Sequence, residues 1–510
     1  MKIKNIFTAM MLMAAALGIQ SCSDSDTTES MANITADGTT ISLTHDGIAI
    51  QELNLSMGEL TSYMISVNSD GGWKVSMPDA DTTWVHITPH AGYGWAVKDT
   101  AATNLRAYVK LKVDYNRGAD RSTSITFSTG ALQAVLRINQ AGIGSSADPI
   151  ESAWDMVANL KMGYNLGNTL ESNHDLTNDW FNPAGPGDWK TWETCWGQPE
   201  TTQEIIDAIA AKGFNIIRVP VTWFPHIDSN GNIDADWMNR VEEVVNYVLK
   251  ANCYCILNVM HDTGARGANR TDKHCWLTAD MDTYAENTVL YQKIWQQIAE
   301  RFRDYDGKLI FESFNEILNK NYSWTAPSAG DPAYEAINRL QQDFVNVVRA
   351  SGGNNQYRNL AVTTYSATGN SDAAVNAFVA PQDPAKNHLY LTIHSYDPYN
   401  FCNNNAGKNA DGTEYDYNIK IFDDDCKAVI DAVFARVSKR ATDCGIPFIF
   451  GEFGAIDEDK SMAERVKYAT YLNEKFKAYN TCGLWWMGLF DRKSLNWYEE
   501  DIVNALMKGR

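Results

Sequence analysis

Apolar and polar residues alternate strictly along much of the chain between residues 37 and 142. In LRAYVKLKV (105–113), apolar side chains at every second position share one face and basic side chains occupy the other. LQAVLRINQ (132–140) repeats the pattern. Short half-buried strands separated by Gly and Asp turns are typical of a β-sandwich. We therefore predict a small all-β, immunoglobulin-like sandwich over residues 37–142.

The spacing of apolar residues along the chain changes after a short Gly/Ser/Pro linker at residues 143–150. Strand-like runs now alternate with segments such as TTQEIIDAIAAKG, where apolar residues recur at helical spacing. Eight such units predict an α/β fold, a (β/α)8 TIM barrel over residues 151–510. No glycine-rich phosphate loop follows the first run, which argues against an open doubly wound sheet. The eight predicted strands are 162–168, 216–221, 253–260, 309–316, 359–365, 388–396, 447–454 and 482–488.

The fourth run contains IFESFNEI (310–317), an apolar segment that ends in Asn315 and Glu316. Burying either group unpaired costs several kcal/mol. A single polar strand end is most simply a paired structural group. The seventh run, however, also ends on a carboxylate, Glu452. Because (β/α)8 barrels carry their chemistry at the C-terminal ends of the strands, the two glutamates are candidate catalytic residues.

Other strand ends add candidate substrate-binding groups to the same face. These are Asn165, Arg218, His261, Asn315, His394, Tyr396 and Trp486. Two carboxylates with an arginine and aromatic rings suit hydrolysis of a glycosidic bond, in which one acid protonates the leaving oxygen and the other attacks carbon. The three possible metal ligands His261, Asp262 and His394 come from distant strands. We predict neither a metal nor a cofactor.

The chain has a formal net charge of −20 and an isoelectric point of about 4.9. Such a field repels phosphate backbones, so we expect no nucleic-acid partner and favour a neutral substrate. With 44% hydrophobic and 21% charged residues, the composition is that of an ordinary globular protein. We expect the protein to act as a monomer.

The first residues carry a targeting signal rather than structure. Lys2 and Lys4 precede an apolar segment at 6–19, which is too short for a stable membrane span. The segment ends in IQSC, which resembles the cleavage box of bacterial lipoproteins, so 1–21 is the predicted signal peptide and Cys22 the lipid attachment site. The alternative is a plain signal peptide. The acidic tether at 22–36 resembles the surface-export tag of gut Bacteroidetes lipoproteins, which implies an outer-membrane lipoprotein facing outward.

A set of motifs in order along residues 151–510 resembles glycoside hydrolase family 5, particularly its subfamily 4 endoglucanases. The motifs are NLGNTLE, WETCWGQPETT, GFNIIRVPVTW, FNE, HSYDPY, GEFG and LNWYEEDIVNALM. The resemblance implies that Glu316 is the acid/base and Glu452 the nucleophile. It implies that Arg218 orients the nucleophile and that Asn315 binds the sugar 2-hydroxyl. It also implies that His394, Tyr396 and Trp486 line the subsite of the sugar under attack.

Two positions depart from the pattern of that family. The family usually has His-His after the third strand, where this chain has Met260 and His261. Met487 stands where many subfamily members have an acid. The resemblance therefore leaves open whether position 260 contacts a sugar. It also leaves open whether the outer part of the site near Met487 matches that of the family.

The N-terminal segments GGWKVSMPDADTTWVHITPHAG and LRINQAG resemble BACON domains. We predict a spacer rather than a glycan-binding module, because Trp73, Trp84 and Trp95 are more simply core residues than a sugar-stacking platform. The eight cysteines from Cys195 onward are predicted to be mostly small buried residues, although disulfides remain open outside the cytoplasm.

Loops after the barrel strands carry many aromatic side chains, which stack on sugar rings. These are Trp189, Trp192, Trp196, Trp223, Trp276, Trp324, Tyr399 and Phe401. The sequence therefore predicts a retaining endo-β-1,4-glucanase, with xyloglucan as the favoured polymer because of the combined resemblance to subfamily 4 and BACON domains. Mixed-linkage glucan, cellulose and mannan are the alternative substrates. A non-catalytic surface glycan-binding protein is the alternative from another class.

Overall fold

The structure is a computed structural model that describes residues 34–45, 47–55, 60–93, 107–114, 116, 120–140, 150–173, 189–266, 273–408 and 413–510. The predicted signal peptide, Cys22, Trp95 and most of the predicted linker lie outside the described residues. The chain forms two compact units, one largely within residues 34–140 and one from residue 150 onward.

Ten strands form two five-stranded sheets in the N-terminal unit. The strands are β1 (Ile41–His45), β2 (Ile48–Ala49), β3 (Glu52–Leu55), β4 (Leu60–Ser69), β5 (Gly72–Ser76), β6 (Val85–Thr88), β7 (Ala91–Tyr93), β8 (Tyr108–Val113), β9 (Arg121–Thr129) and β10 (Leu132–Gln140). One sheet has the order β2-β1-β4-β8-β6 and the other β3-β10-β9-β5-β7. A short 3-10 turn lies at Asp79–Thr83.

The core of this unit follows from the alternation along its strands. On β8, Val109 and Leu111 are fully buried while Tyr108 is exposed. Trp73 is fully buried and Trp84 is 7% exposed, and both belong to the same apolar cluster. A buried ring offers no face to a sugar, so these two tryptophans have a core role.

The second unit is built on a closed barrel of eight parallel strands, which confirms the predicted (β/α)8 fold. The barrel strands, in spatial order, are β11 (Gly163–Asn165), β12 (Ile216–Val219), β13 (Tyr254–Asn258), β14 (Leu309–Glu312), β15 (Leu360–Thr368), β16 (Leu389–Ser395), β19 (Phe448–Phe453) and β20 (Gly483–Trp486). Two small hairpins pair β17 (Ala406–Lys408) with β18 (Glu414–Asp416) and β21 (Phe490–Asp491) with β22 (Asn496–Trp497).

Helices connect the strands of the barrel. They are α1 (Ala153–Asn159), α2 (Trp189–Thr194), α3 (Gln203–Ala211), α4 (Ala235–Lys250), α5 (Tyr284–Arg301), α6 (Pro332–Ala350), α7 (Asp372–Ala377), α8 (Tyr399–Cys402), α9 (Asp424–Cys444), α10 (Met462–Ala478) and α11 (Glu500–Met507), with 3-10 turns at Phe224–His226 and Gly353–Gln356. Helix α6 shows why they form. The Asp331 side chain accepts from the Ala333 N–H (2.9 Å), and Pro332 occupies the first turn. Within the described residues, no helix is long and apolar enough to cross a membrane.

The barrel interior is layered because alternate residues of a strand point to the same side. The inward pairs on three neighbouring strands each run from apolar to polar: Ile216 and Arg218, Ile256 and Asn258, Ile310 and Glu312. The apolar members form one cluster with Met156 of α1 and with Leu160 directly after it, so this helix packs against the N-terminal end of the barrel. The polar members lie toward the C-terminal end, beneath the predicted site.

Strand β14 ends earlier than the sequence predicts. Its last residue is Glu312, so Asn315 and Glu316 lie in the turn that follows. The Ser313 N–H still bonds to the Ala361 carbonyl on β15, but the Asn315 N–H bonds to the Val259 carbonyl after β13. The backbone therefore turns away from β15 between these two residues. This turn carries the two predicted site residues toward the mouth of the barrel.

The eight cysteines of the described residues are free thiols. Six are buried, while Cys195 and Cys444 are partly exposed. The prediction that most of them are small buried residues is confirmed, and the described part of the chain contains no disulfide.

Candidate active site

Arg218 lies inside the barrel and is fully buried. Its Nε and Nη2 donate to the Glu312 carboxylate at 2.6–3.1 Å, and Asn258 Nδ2 donates to the same carboxylate at 3.0 Å. Neither Glu312 nor Asn258 was singled out by the sequence patterns. An unpaired buried charge is strongly destabilising, so Glu312 is the partner that lets the arginine be buried here.

Three further bonds connect Arg218 to residues around the site. Nη1 donates to Glu452 Oε1 at 2.6 Å and to Asn165 Oδ1 at 3.1 Å, while Nη2 donates to Asn315 Oδ1 at 2.8 Å. All five donors of the guanidinium are therefore used. Burial lowers the pKa of Arg218, but the two carboxylates outweigh it and the net pKa is raised. The arginine is a permanent cation that fixes the positions of its neighbours.

Asn165 lies below the cavity rather than in its wall. It is fully buried, and its Nδ2 donates to the Gly451 and Leu484 carbonyls at 3.0 and 3.2 Å. With its oxygen accepting from Arg218, the whole amide is occupied within the protein. The predicted sugar contact of Asn165 is therefore corrected to a positioning role, because its position on β11 directs the side chain into the barrel.

The Glu452 carboxylate is held from three sides. Arg218 binds Oε1, the Tyr396 hydroxyl donates to Oε2 at 2.8 Å, and His394 Nδ1 lies 3.6 Å from Oε2. Burial raises the pKa of Glu452, and His394, Arg218 and the Tyr396 hydroxyl act to lower it, with a net rise. Burial also raises the pKa of Tyr396 well above its ordinary value, so the tyrosine stays protonated and donates.

Glu316 is the more exposed of the two carboxylates, with 20% of its side chain accessible against 6% for Glu452. His394 Nδ1 lies 2.8 Å from Glu316 Oε1. Burial lowers the pKa of His394, but Glu452 and Glu316 outweigh it and the net pKa is raised. One carboxylate oxygen of each glutamate and a nitrogen of His394 lie within 4.8 Å of one another. The three could also hold a metal ion at that spacing.

Asn315 lines the cavity beside Glu316. Because its Oδ1 is bound to Arg218, the amide has only its N–H donors to offer to the cavity. This orientation suits an acceptor on a ligand, as the predicted contact with a sugar hydroxyl requires.

A cavity of about 590 Å³ opens above these groups. Its polar part includes both glutamates, Asn315 and Tyr396, and Trp196, Trp324 and Trp486 supply aromatic surface. Met260 and His261 both line it, so the replacement at position 260 puts a thioether in the wall. His394 is 5% exposed and lies behind the two carboxylates. Among the other loop aromatics, Trp223 and Phe401 are fully buried and pack the loops instead.

The segment after β11 also contributes to the site. Asn168 lines the cavity in a left-handed conformation (φ 60°). The fully buried Glu171 carboxylate accepts from the Thr169 N–H at 2.9 Å and from the Asn168 N–H. Burial raises the pKa of Glu171 to about 7. The sequence alone does not identify Glu171, the last residue of the motif NLGNTLE, as the anchor of this loop, because its two bonds depend on the shape of the turn.

The family model for "Cellulase (glycosyl hydrolase family 5)" matches residues 176–488. Cellulase/esterase CelE of Acetivibrio thermocellus is 35% identical over 374 residues, which span 70% of this chain and 40% of that protein. Endoglucanase A of Ruminococcus albus is 31% identical over 372 residues, which span 70% of this chain and 93% of the relative.

A solved structure of a glycoside hydrolase family 5 enzyme from Prevotella bryantii, a mutant in complex with a xyloglucan tetradecasaccharide, is also similar. It is 37% identical with a TM-score of 0.61, and the match covers 70% of this chain and 98% of that one. The family match covers seven of the eight barrel strands, including those that carry the paired glutamates. The chain therefore belongs to the cellulase family, glycosyl hydrolase family 5.

Proposed function

We propose that the protein is a retaining endo-β-1,4-glucanase in which Glu452 is the nucleophile and Glu316 the acid/base, with xyloglucan as its substrate. The observation that carries the mechanism is the closeness of the two carboxylates, since one oxygen of Glu316 lies within 4.8 Å of one oxygen of Glu452. Retaining glycosidases hold their carboxyl groups about 5–5.5 Å apart, whereas inverting enzymes need about 6.5–9.5 Å to admit a water. No cofactor takes part in this mechanism.

The surroundings of the two carboxylates divide the roles between them. Glu452 is the buried partner of Arg218 and receives the Tyr396 hydroxyl, two contacts that favour the ionised form a nucleophile needs. Glu316 is more exposed and faces the cavity, where it meets the leaving oxygen. In the first step Glu452 attacks the anomeric carbon while Glu316 gives its proton to the departing chain.

In the second step Glu316, now ionised, takes a proton from water as that water attacks the glycosyl ester on Glu452. His394 contacts Glu316 at 2.8 Å and Glu452 at 3.6 Å, so it adjoins both groups as the negative charge moves from one to the other. The Asn315 N–H groups are placed to bind the sugar hydroxyl beside the reacting carbon. This arrangement argues against the alternative of a non-catalytic glycan-binding protein.

The preference for xyloglucan rests on likeness and on the cavity. The similar Prevotella enzyme was solved with a xyloglucan oligosaccharide bound, and the similar curated proteins are named endoglucanases or cellulases. The cavity is open and bears three tryptophans, which suits a long polymer. Mixed-linkage glucan, cellulose and mannan are the alternative substrates.

The N-terminal features give the proposed cellular setting. The IQSC box and the acidic tract after it support lipid attachment at Cys22 and display on the outer face of the outer membrane. The N-terminal unit acts as a BACON-type spacer, because Trp73 and Trp84 are buried in its core. Micromolar binding of β-glucan by that unit would contradict the spacer role.

The substrate is tested by incubating the protein with xyloglucan, mixed-linkage β-glucan, cellulose and mannan and analysing the products. We expect fastest cleavage of xyloglucan, with release of xylose-bearing oligosaccharides, and no cleavage by Glu452→Ala. Preference for an unbranched glucan would contradict the assignment of xyloglucan as the substrate but would agree with endoglucanase activity. Retention of polymer without cleavage would identify a binding protein.

The two glutamates are expected to respond differently to azide. Glu452→Ala loses the nucleophile and should lose about 10³-fold or more of kcat on every substrate. Glu316→Ala should fail on polysaccharide yet still form the glycosyl-enzyme from an aryl glycoside with a good leaving group. Azide needs no base, so it should restore turnover of Glu316→Ala and give the β-glycosyl azide. A β-glycosyl azide from Glu452→Ala, or a Glu316→Ala protein that treats good and poor leaving groups alike, would contradict this assignment.

The pH at which kcat/KM falls on the acidic side of its profile, the acidic limb, should depend on Tyr396. Because burial raises the pKa of Glu452, kcat/KM should fall as pH drops through a value above the ordinary range of glutamate. Tyr396→Phe removes a hydrogen bond that lowers this pKa, so its limb should lie at higher pH. The matched control is Tyr291→Phe, which removes a buried hydroxyl bonded to the Ser313 carbonyl. If kcat/KM of the wild type and of Tyr396→Phe fell at the same acidic pH, the link between the Tyr396 hydroxyl and the pKa of Glu452 would be refuted.

Surface display is tested in the cells that make the protein. Protease treatment of intact cells should destroy its activity, and Cys22→Ala should release the protein from the membrane fraction because no acyl chain can be attached. Protection of the full-length enzyme in intact cells would rule out outward display.

A further inference from the structure

Glu316 lies beyond the end of its own strand, because β14 ends at Glu312. Its side chain is 20% exposed and faces the cavity, so a ligand and not the protein must cover that side of the carboxylate. A general acid has to stand within hydrogen-bond reach of the leaving oxygen, and a misplacement of about 1 Å can cost about 100-fold in rate. The position of Glu316 therefore depends on how the backbone around it is held.

Strand β15, the neighbour of β14, contains a bulge. Thr363 and Thr368 of β15 pair with Thr392 and His394 of β16, so four residues lie between the first two and a single residue lies between their partners. We call residues 364–367 the β15 bulge. A bulge of this kind turns the side chains and N–H groups of its strand in a new direction.

Two residues of the β15 bulge have a left-handed backbone, Ser366 with φ 48° and Ala367 with φ 50°. This conformation is uncommon for residues that carry a Cβ atom, and such strain persists where the surrounding structure holds it, often at functional sites. The strained backbone directs the Ser366 N–H to the Ile317 carbonyl, to which it donates at 2.9 Å. The β15 bulge thus holds the residue directly after Glu316.

Tyr365, in the same bulge, holds the next part of that loop with its side chain. It is 1% exposed, and its hydroxyl accepts from the Asn319 N–H at 3.1 Å and donates to the Ser323 carbonyl at 2.6 Å. Burial raises the pKa of Tyr365, so the hydroxyl stays protonated and able to donate. One hydroxyl therefore ties together both ends of the segment 319–323 by acting as donor and acceptor at once.

We propose that Tyr365 is a positioning residue for the acid/base Glu316. Its hydroxyl and the neighbouring Ser366 N–H fix the backbone that follows Glu316, so the carboxylate is aimed at the leaving oxygen while its own face stays open to the substrate. The strained β15 bulge is the element that brings both groups to this backbone. The inference rests on the proposed function, because it requires Glu316 to be the proton donor.

The test measures how strongly cleavage depends on the leaving group. The value of kcat/KM reports the first step, and it is measured for aryl β-glycosides of the oligosaccharide that the enzyme releases, with dinitrophenol as the good leaving group and phenol as the poor one. Tyr365→Phe keeps the ring and removes the hydroxyl. The matched control is Tyr334→Phe, because the Tyr334 hydroxyl donates to the Pro327 carbonyl of the same loop at 2.5 Å, farther along the chain from Glu316.

We expect Tyr365→Phe to lose about tenfold in kcat/KM with the phenyl glycoside and less than about twofold with the dinitrophenyl glycoside, because the poor leaving group needs the proton. Tyr334→Phe should keep the wild-type ratio of the two values. In the Glu316→Ala protein, Tyr365→Phe should not change this ratio further, because the acid that it positions is gone.

A loss of the same size on both glycosides in Tyr365→Phe, or no loss on either, would overturn the positioning role. A change of the ratio in Tyr334→Phe as large as that in Tyr365→Phe would also overturn it. Both values come from one sample of each variant, so a misfolded fraction lowers them alike and cannot imitate the expected result. Failure of the proposed function shows differently, as a Glu316→Ala protein that loses activity equally on the two glycosides.

Discussion

The burial of one positive charge inside the barrel governs the rest of the site. Arg218 has no access to water, so its guanidinium must be matched by acceptors that the barrel supplies. Glu312, Asn165, Asn315 and Glu452 are those acceptors, each within 3.1 Å. Because they come from β11, from β14 and the turn after it, and from β19, satisfying the arginine also fixes the relative positions of those three strands. The placement of Glu452 is thus a consequence of how the core is held together.

The layered interior explains why so much of the site could be predicted. Glu316 and Glu452 stand out because each interrupts an apolar run at the end where a barrel opens. The same reasoning missed Glu312, which lies within the predicted strand, since its inward direction becomes visible only when its register with Asn258 is known. Asn165 was predicted from its position at a strand end, but the last strand residue still points into the barrel.

The cavity walls were less predictable than its floor. Trp196, Trp223 and Phe401 all lie in connections without periodicity, and the sequence offers no signal for which ring packs inward. The structure separates them by burial, with Trp196 in the cavity wall and the other two fully buried.

Glu312 also bears on the electrostatics of the reaction cycle. In the mechanism that we propose, a sugar bound covalently to Glu452 turns that carboxylate into a neutral ester, and the buried arginine loses one of its two counter-ions. Glu312 lies too deep to react and stays bonded to the guanidinium at 2.6 Å, so the proposed ester on Glu452 still leaves the arginine one carboxylate partner. The barrel thus separates a carboxylate that remains with the arginine from the one that is proposed to react.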